Sequence, residues 1–157
     1  MAIRMVAPLE IGISCCDLLR MRRFYEETLG FSFIGEAAVG RDTAKALGLC
    51  SEGYTVARLQ TPYGERLKLL AANTPPAKLS SDSLFLEKPG AMYLTFIIDH
   101  IDEAIQRLAK AGVPFITGAS SVQVRPGVQA AFCRDPEGNA LELVEFAAIA
   151  AYRPDLK

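Results

Sequence analysis

Two stretches of the chain, TPYGERLKLL (61–70) and DPEGNALELV (135–144), repeat one pattern 74 positions apart. They share the proline, the glycine and two leucines in the same frame, but between the leucines the first copy carries Lys68 and the second Glu142. In each copy a Pro-x-Gly turn leads into alternating residues, which is typical of a β-hairpin. The repeat indicates a duplication in which one position has acquired opposite charges.

The first half of the chain predicts a strand, a helix and then three strands. Asp17 is placed to cap the helix, whose apolar residues recur at helical spacing, and Gly30 is placed to end it. Residues 41–52 predict a short helix or lid outside the sheet. The four predicted strands are LEIGISC (9–15), FSFIGE (31–36), GYTVARLQT (53–61) and ERLKLLA (65–71).

The second half predicts the same order of elements. Asp99 is placed to cap its helix and Gly112 to end it. The Pro- and Ser-rich residues 75–90 predict a linker between the halves, in which Phe85 and Leu86 are apolar enough to fill a hydrophobic slot. The four predicted strands are AMYLTFII (91–98), VPFIT (113–117), VQAAFCR (128–134) and NALELVEF (139–146).

These elements predict an α+β fold within a single domain of 157 residues. Two βαβββ modules, about 8–74 and 91–146, are expected to form a curved eight-stranded open barrel around a shared cavity, followed by a tail at 147–157. Alternation along the strands predicts which side chains face that cavity. They include Glu10, Ser14, Arg58, Gln60, Lys68, Tyr93, Thr95, Glu142 and Phe146.

Composition excludes several classes of function. A net charge of −1 gives no basic surface for nucleic acid or anionic lipid. The sequence shows neither a signal peptide nor a run of about 18 apolar residues, so a cytoplasmic protein that makes no membrane contact is expected. The four cysteines form no CxxC pair, which favours reduced thiols over a zinc site or disulfides.

Three segments together resemble the vicinal oxygen chelate superfamily, which includes glyoxalase I, bleomycin-binding proteins and extradiol dioxygenases. They are EIGISCCDL (10–18), FYEETLGF (24–31) and FCRDPEGNALEL (132–143), and the resemblance covers about residues 8–146. It implies the paired βαβββ arrangement, a small organic ligand or substrate, and a homodimer. Function does not follow from this fold, because one scaffold supports many chemistries.

The resemblance also implies where a metal would bind. In metal-using members the first and closing strands of each module supply one ligand each, and here those positions hold Glu10, Lys68, Tyr93 and Glu142. Only Glu142 matches the family pattern, and a lysine ammonium has no lone pair to donate. No metal or other cofactor is therefore predicted. The single histidine, His100, is expected to be structural or solvated.

The four residues leave three functions open. A metal-independent isomerase, lyase or cyclase would use Glu10 or Glu142 as base, with Lys68 and Tyr93 stabilising an oxyanion. A binding protein would sequester a small antibiotic-like compound without turnover. A metal-dependent lyase or dioxygenase would need atypical oxygen ligands. In all three, Ser14, Arg58, Gln60, Thr95 and Phe146 are candidate substrate-binding residues. The charged residues would otherwise form only a buried ion pair that holds the fold together.

Overall fold

The computed structural model describes residue 8 and residues 10–47, 49–74 and 92–154. The chain divides into two compact units, residues 1–80 and 81–157. The whole predicted linker 75–90, including Phe85 and Leu86, lies outside the described residues. Within the described ranges, no helix has the length and apolar character needed to cross a membrane.

The first unit contains one mixed sheet in the order β1-β4-β3-β2, in which β1 and β4 run parallel. Its strands are β1 (Glu10–Cys15), β2 (Ser32–Val39), β3 (Tyr54–Gln60) and β4 (Arg66–Ala72). Helix α1 (Leu18–Arg23) follows β1 and continues into a π-helical turn at Phe24–Thr28. The predicted short helix forms as α2 (Arg41–Ala46), between β2 and β3.

Helix α1 begins and ends as the sequence predicts. The Asp17 carboxylate accepts a hydrogen bond from the amide of Arg20 at 3.0 Å, and Gly30 follows the π-helical turn at a φ of 76°. Met21 and Tyr25 of this helical segment are fully buried, as are Leu59 and Leu69 of the sheet. We call the helix-covered side of the sheet its packed face and the other side its open face.

The second unit contains a second mixed sheet in the order β5-β8-β7-β6, in which β5 and β8 run parallel. Its strands are β5 (Tyr93–Ile97), β6 (Val122–Arg125), β7 (Val128–Arg134) and β8 (Ala140–Phe146). Helix α3 (Ile101–Lys110) follows β5, and the short α4 (Ile149–Tyr152) follows β8. The α+β fold built from two βαβββ modules is thus confirmed.

The packed face of the second sheet matches that of the first. Ile105 and Leu108 of α3 are buried, together with Leu141 and Leu143, the leucines that repeat Leu67 and Leu69. Glu142 lies between the two buried leucines, as Lys68 does in the first unit, and both are only half-buried. The alternation predicted for both closing strands is therefore present.

The strand predicted at 113–117 is wrong, because β6 lies further along the chain. Proline at position 114 has no amide hydrogen to donate to a neighbouring strand. The segment still follows β7 through an isolated bridge between Phe115 and Cys133 and a 2.7 Å hydrogen bond from the Ile116 amide to the Phe132 carbonyl. The alternating residues of β6 then provide the edge strand.

The prediction that Asp99 caps α3 is also wrong. His100 occupies the cap position in a left-handed conformation, with φ at 52°, and makes no side-chain capping bond. The Ile101 amide instead donates to the Glu145 carboxylate at 2.9 Å. A residue of β8 therefore caps the helix, which sequence spacing alone cannot reveal.

The two repeated turns share one backbone design with different side chains. In the first, the Gly64 amide donates to the Thr61 carbonyl at 3.1 Å, and in the second the Gly138 amide donates to the Asp135 carbonyl at 3.0 Å. Thr61 bonds the Glu65 side chain, whereas Asp135 accepts from the amide and side chain of Asn139. The carboxylate thus follows the turn in the first unit, as Glu65, and begins the turn in the second, as Asp135.

Candidate functional site

The open face of the first sheet is crossed by rows of side chains from neighbouring strands. One row contains Glu10, Arg66 and Gln60, which are register partners across β1, β4 and β3. Arg66 donates from Nε to the Gln60 amide oxygen at 2.7 Å, and its Nη1 lies 3.5 Å from a Glu10 carboxylate oxygen. We call this the polar row; its charged groups contact one another.

The next row contains Gly12, Lys68, Arg58 and Gly35, which are register partners across β1, β4, β3 and β2. We call it the cation row. Lys68 Nζ lies 3.7 Å from the other Glu10 carboxylate oxygen. The Arg58 side chain makes no hydrogen bond or ion pair with any residue that the structure describes. The row after that is uncharged and contains Ser14, Leu70, Val56 and Ala37.

Glu142 occupies the corresponding place on the open face of the second sheet. Its register partners are Thr95 on β5 and Phe132 on β7. The Thr95 hydroxyl donates to the Glu142 carboxylate at 2.7 Å. The Tyr93 ring meets Phe132 edge to face, with ring centroids 5.4 Å apart. Glu142 forms no salt bridge with the residues described, so this carboxylate lies beside a hydroxyl and an aromatic pair.

Phe146, another predicted ligand residue, lies farther along β8. Its ring stacks on that of Tyr152, with centroids 3.9 Å apart, and the Arg125 guanidinium lies 6.0 Å from its centroid. These three side chains line a cavity of about 310 Å³ together with Val128 and the residues that follow β8. Phe146 also packs against the buried cluster of Val128, Ala130 and Val144.

The predicted site residues fall into two groups. Glu10 and Lys68 form an ion pair in the first unit, with Arg58, Gln60 and Ser14 on the same open face. Tyr93, Thr95, Glu142 and Phe146 lie on the open face of the second unit. That both groups face one cavity stays a prediction.

The Glu10–Lys68 pair is less buried than a purely structural ion pair would require. The two side chains are 33% and 34% exposed, so water screens their attraction. The same is true of Arg66, which is 38% exposed. Solvent access keeps these charges available to a ligand and makes their mutual attraction a small part of the stability.

Sequence reasoning missed three residues of these faces. Arg66 contacts Glu10 and precedes Lys68 by two positions, so the alternation that places Lys68 on the open face also places Arg66 there. Phe132 lies between Ala131 and Cys133, which are buried on the packed face, so alternation along β7 places it on the open face. Tyr152 follows the last strand, and no strand or helix period links it to Phe146.

The four positions that could hold a metal do not have a suitable donor set. Lys68 brings a positive charge next to Glu10, and the nearest partners of Glu142 are a hydroxyl and an aromatic ring. Over the described residues, no three His, Cys, Asp or Glu side chains cluster closely enough to bind a metal ion. A divalent cation needs several anionic or neutral donors around it. The residues present do not fit such an ion.

Comparison with known proteins identifies the family but not an activity. Residues 7–143 match the model of the Glyoxalase/Bleomycin resistance protein/Dioxygenase superfamily. A search of curated proteins gives no significant match.

Solved structures agree with the family match. A glyoxalase family protein from Bacillus cereus is 25% identical with a TM-score of 0.76, over 92% of this chain and 96% of that one. A glyoxylase/bleomycin resistance protein/dioxygenase domain from Frankia sp. is 20% identical with a TM-score of 0.68, over 91% and 93%. Trypanothione-dependent glyoxalase I of Leishmania major is 20% identical with a TM-score of 0.65, over 98% and 94%.

Proposed function

The chain belongs to the Glyoxalase/Bleomycin resistance protein/Dioxygenase superfamily, and on that premise we propose that it is a metal-independent isomerase, lyase or cyclase acting on a small organic molecule. Glu142 is the base in this proposal. The observation that carries it is the Glu142 environment: a half-buried carboxylate whose partner is the Thr95 hydroxyl at 2.7 Å.

The two carboxylates differ in their suitability as a base. Glu10 has Lys68 at 3.7 Å from one carboxylate oxygen and Arg66 at 3.5 Å from the other, so both of its oxygens face a cation. Glu142 has no cation that close among the residues described. A carboxylate held by one hydroxyl keeps oxygen lone pairs with which to accept a proton. We therefore assign the proton transfer to Glu142 rather than to Glu10.

The simplest reaction for such a base needs no second reactant. In an isomerisation, Glu142 takes a proton from a carbon beside a carbonyl group and returns it at a neighbouring atom. The electron pair from the broken C–H bond forms an enolate, which a nearby hydrogen-bond donor stabilises. Tyr93 lies on the same face and is 44% exposed, so its phenol is the candidate donor.

The test is a ligand screen followed by an assay for turnover. Compounds that raise the melting temperature of the native protein are incubated with it and followed by NMR. We expect at least one of them to be converted by the native protein, and Glu142→Gln to bind it with conversion reduced by about a hundredfold or more. Glu27→Gln removes an exposed carboxylate of the first unit and serves as the matched control. Conversion by Glu142→Gln at the native rate contradicts the proposal.

A second function, sequestration without turnover, is favoured by the aromatic side chains of the second unit. Tyr93 with Phe132, and Phe146 with Tyr152, form two ring pairs, one of which lines the 310 Å³ cavity. Aromatic faces bind flat apolar compounds through their large buried area. A compound that binds unchanged to the native protein, and loses affinity in Phe146→Ala but not in Glu142→Gln, favours this function.

We also propose that the protein is a cytoplasmic homodimer. The edge strands of the two sheets include β2 in the first unit and β6 in the second, and exposed edges favour pairing or coverage. Ile34, Val122 and Val124 of these strands are 46%, 50% and 61% exposed. Light scattering at micromolar concentration should give twice the chain mass of 17.0 kDa. A monomer mass would contradict the proposed dimer and would leave the proposed activity unaffected.

A further inference from the structure

The cation row places two positive charges side by side at the centre of the first sheet. Arg58 on β3 is the direct register partner of Lys68 on β4. Their neighbours along the strands, such as Leu59 and Leu69, are buried on the packed face, so both cations project from the open face. Like charges placed directly opposite each other destabilise a sheet. The fold retains this pair although it gains no stability from it.

The nearby carboxylate does not neutralise the row. Glu10 lies beside Lys68 and Arg66, so one carboxylate faces two cations before Arg58 is considered. Arg58 is only partly exposed, and its side chain makes no ion pair or hydrogen bond with the residues described. Guanidinium groups bind carboxylate or phosphate through two parallel hydrogen bonds. Among the described residues, the Arg58 guanidinium therefore has no carboxylate in ion-pair contact with it.

The cation row has open space at the Gly35 end, beside Arg58, and an apolar side chain at the Gly12 end, beside Lys68. Gly35 lies opposite Arg58, and a Cβ added there would meet no atom within 4 Å. Gly12 lies opposite Lys68, and a Cβ added there would lie 2.9 Å from Cδ1 of Leu70. The Leu70 side chain thus extends towards Gly12 and borders Lys68. A glycine within a strand often marks a place where another molecule approaches closely.

The rows on either side differ in polarity. The polar row, with its Arg66–Gln60 and Arg66–Glu10 contacts, lies on one side. The row of Ser14, Leu70, Val56 and Ala37 lies on the other and carries no charge. A ligand whose charged end meets Arg58 and Lys68 thus has an apolar surface next to it.

We propose that the cation row binds the anionic group of the ligand, a carboxylate or a phosphate, with an apolar body against Leu70. The inference rests on the proposed function in that it names the class of small molecule on which that function acts. Arg58 is the principal binding residue, since its side chain has no hydrogen-bond or ion-pair partner among the described residues. Lys68 is the second, held by Glu10. Arg66 positions Glu10 and contributes less.

The experiment measures binding of four probes by calorimetry: phenylacetate, phenyl phosphate, the neutral phenylacetamide and inorganic phosphate. We expect phenylacetate or phenyl phosphate to bind at least tenfold more tightly than phenylacetamide, since charged hydrogen bonds are stronger than neutral ones. A preference between the two acids identifies the anion as carboxylate or phosphate. Inorganic phosphate shows how much affinity comes from the apolar body.

Variants separate the cation row from other sources of charge. Arg58→Gln removes the charge while keeping a polar side chain, and Gly35→Val fills the space beside it without changing charge. We expect each to weaken binding of the preferred acid by about tenfold or more. Arg23→Gln removes an exposed arginine of α1 and is the matched control, with affinity unchanged. Higher salt should weaken binding to the native protein, and should have a smaller effect in Arg58→Gln, where Lys68 alone still attracts the anion.

Several outcomes overturn the proposal. These are equal affinity for phenylacetate and phenylacetamide, no binding of any acidic probe at millimolar concentration, or native affinity in Arg58→Gln. Failure of the proposed function would show as an absence of conversion, not of binding. Glu142→Gln keeps the cation row and should bind the acidic probes as the native protein does. The anion site therefore stands if binding survives in Glu142→Gln even where no compound is converted.

Discussion

Thr95 and Glu142 are register partners in the parallel pairing of β5 with β8, and the Thr95 hydroxyl donates to the Glu142 carboxylate at 2.7 Å. In the first unit Gly12 and Lys68 hold the corresponding places. Glycine offers Lys68 no side-chain partner, and the ammonium lies instead near Glu10, which is two register pairs earlier and on the same face. The two charged residues of the repeat thus have different partners: a hydroxyl for Glu142 and a carboxylate for Lys68.

Lys68→Met should have a small effect on stability. The Glu10–Lys68 pair is about a third exposed with its atoms 3.7 Å apart, and pairs of this kind contribute roughly 0–1 kcal/mol. Arg66 remains beside Glu10 in the variant, so the carboxylate keeps one cation. Urea denaturation should show a loss below about 1 kcal/mol. A loss of 3 kcal/mol or more, as on breaking a buried pair, would restore the purely structural interpretation of this pair.

Arg58→Gln should leave the protein as stable as the native chain or more so. The substitution removes the repulsion between Arg58 and its direct partner Lys68, which is on the order of 0.5 kcal/mol for opposed side chains. Low ionic strength should enlarge the gain and high salt should remove it. Urea denaturation at two salt concentrations measures it, with Arg23→Gln as control. A salt-independent loss of stability would show that Arg58 supports the fold.

Asp135→Ala should destabilise the protein strongly. Asp135 is 2% exposed and accepts hydrogen bonds from the amides of Glu137 and Asn139 and from the Asn139 side chain. Removing it leaves three partly buried donors without this acceptor, at a cost of about 1–3 kcal/mol. Asp135→Asn keeps one oxygen and should lose less. Equal denaturation midpoints for the native and Ala proteins would contradict this role.

Alkaline pH should weaken the fold through Cys133. Burial, with a smaller contribution from the charge of Asp135, raises the pKa of the Cys133 thiol from 9.0 to about 11. Above the unfolded-state pKa the unfolded chain loses a proton that the folded protein still holds, so stability falls as pH rises. The decline should extend from about pH 9 to pH 11.

The measurement for Cys133 compares the native protein with Cys133→Ala. Other groups also titrate above pH 9, so the decisive quantity is the difference in the free energy of unfolding between the two proteins as pH changes. We expect the native protein to lose more stability than the variant between pH 9 and pH 11. Parallel curves for the two proteins would mean that the thiol ionises equally well in the folded state.

The purified protein should contain no stoichiometric transition metal. Lys68 takes one of the four positions from which metal-using relatives supply ligands, and its ammonium repels a divalent cation. Elemental analysis after purification without chelators measures this. One equivalent of nickel, zinc, iron or manganese per chain would contradict the prediction. Lys68→Glu places a second carboxylate beside Glu10 and, as a positive control, should raise the affinity for manganese.

Much of the fold could be predicted from the sequence, because its strongest signals are local. The repeated turns, the alternation around Leu67 and Leu141 and the glycines that end the helices all act over a few residues. Each depends on backbone geometry that tertiary contacts rarely override. For this reason the order of elements in both units was predictable.

The errors come from contacts between elements distant in sequence. Glu145 caps α3 from 44 positions away, so the favourable Asp99 near the helix start is left unused. The segment at Phe115 has a strand-like composition, but its proline limits it to a single bridge with β7. Local propensity identifies the residues that could cap a helix or form a strand. Contacts between distant elements determine which of them do so.

The candidate site was predictable in its positions but not in its partners. Alternation places Glu10, Lys68, Thr95 and Glu142 on the open faces. The directions of their side chains depend on cross-strand neighbours, and these require the register. Arg66 is the clearest case. Its guanidinium lies near one Glu10 carboxylate oxygen and the Lys68 ammonium lies near the other. The sequence of a single strand does not predict this contact.

The altered chemistry of the two turns has a consequence for how such proteins diversify. Thr61 and Asp135 begin turns with the same backbone bonds, and Lys68 and Glu142 each follow seven positions later. Because the turn and the flanking leucines fix that distance, mutation can change the residue at the seventh position without moving its backbone. A metal ligand at this position can therefore be replaced by an ammonium or a proton acceptor, because the turn and the leucines, not this residue, determine the fold. The fold thus keeps the backbone position constant while the residue at that position can change.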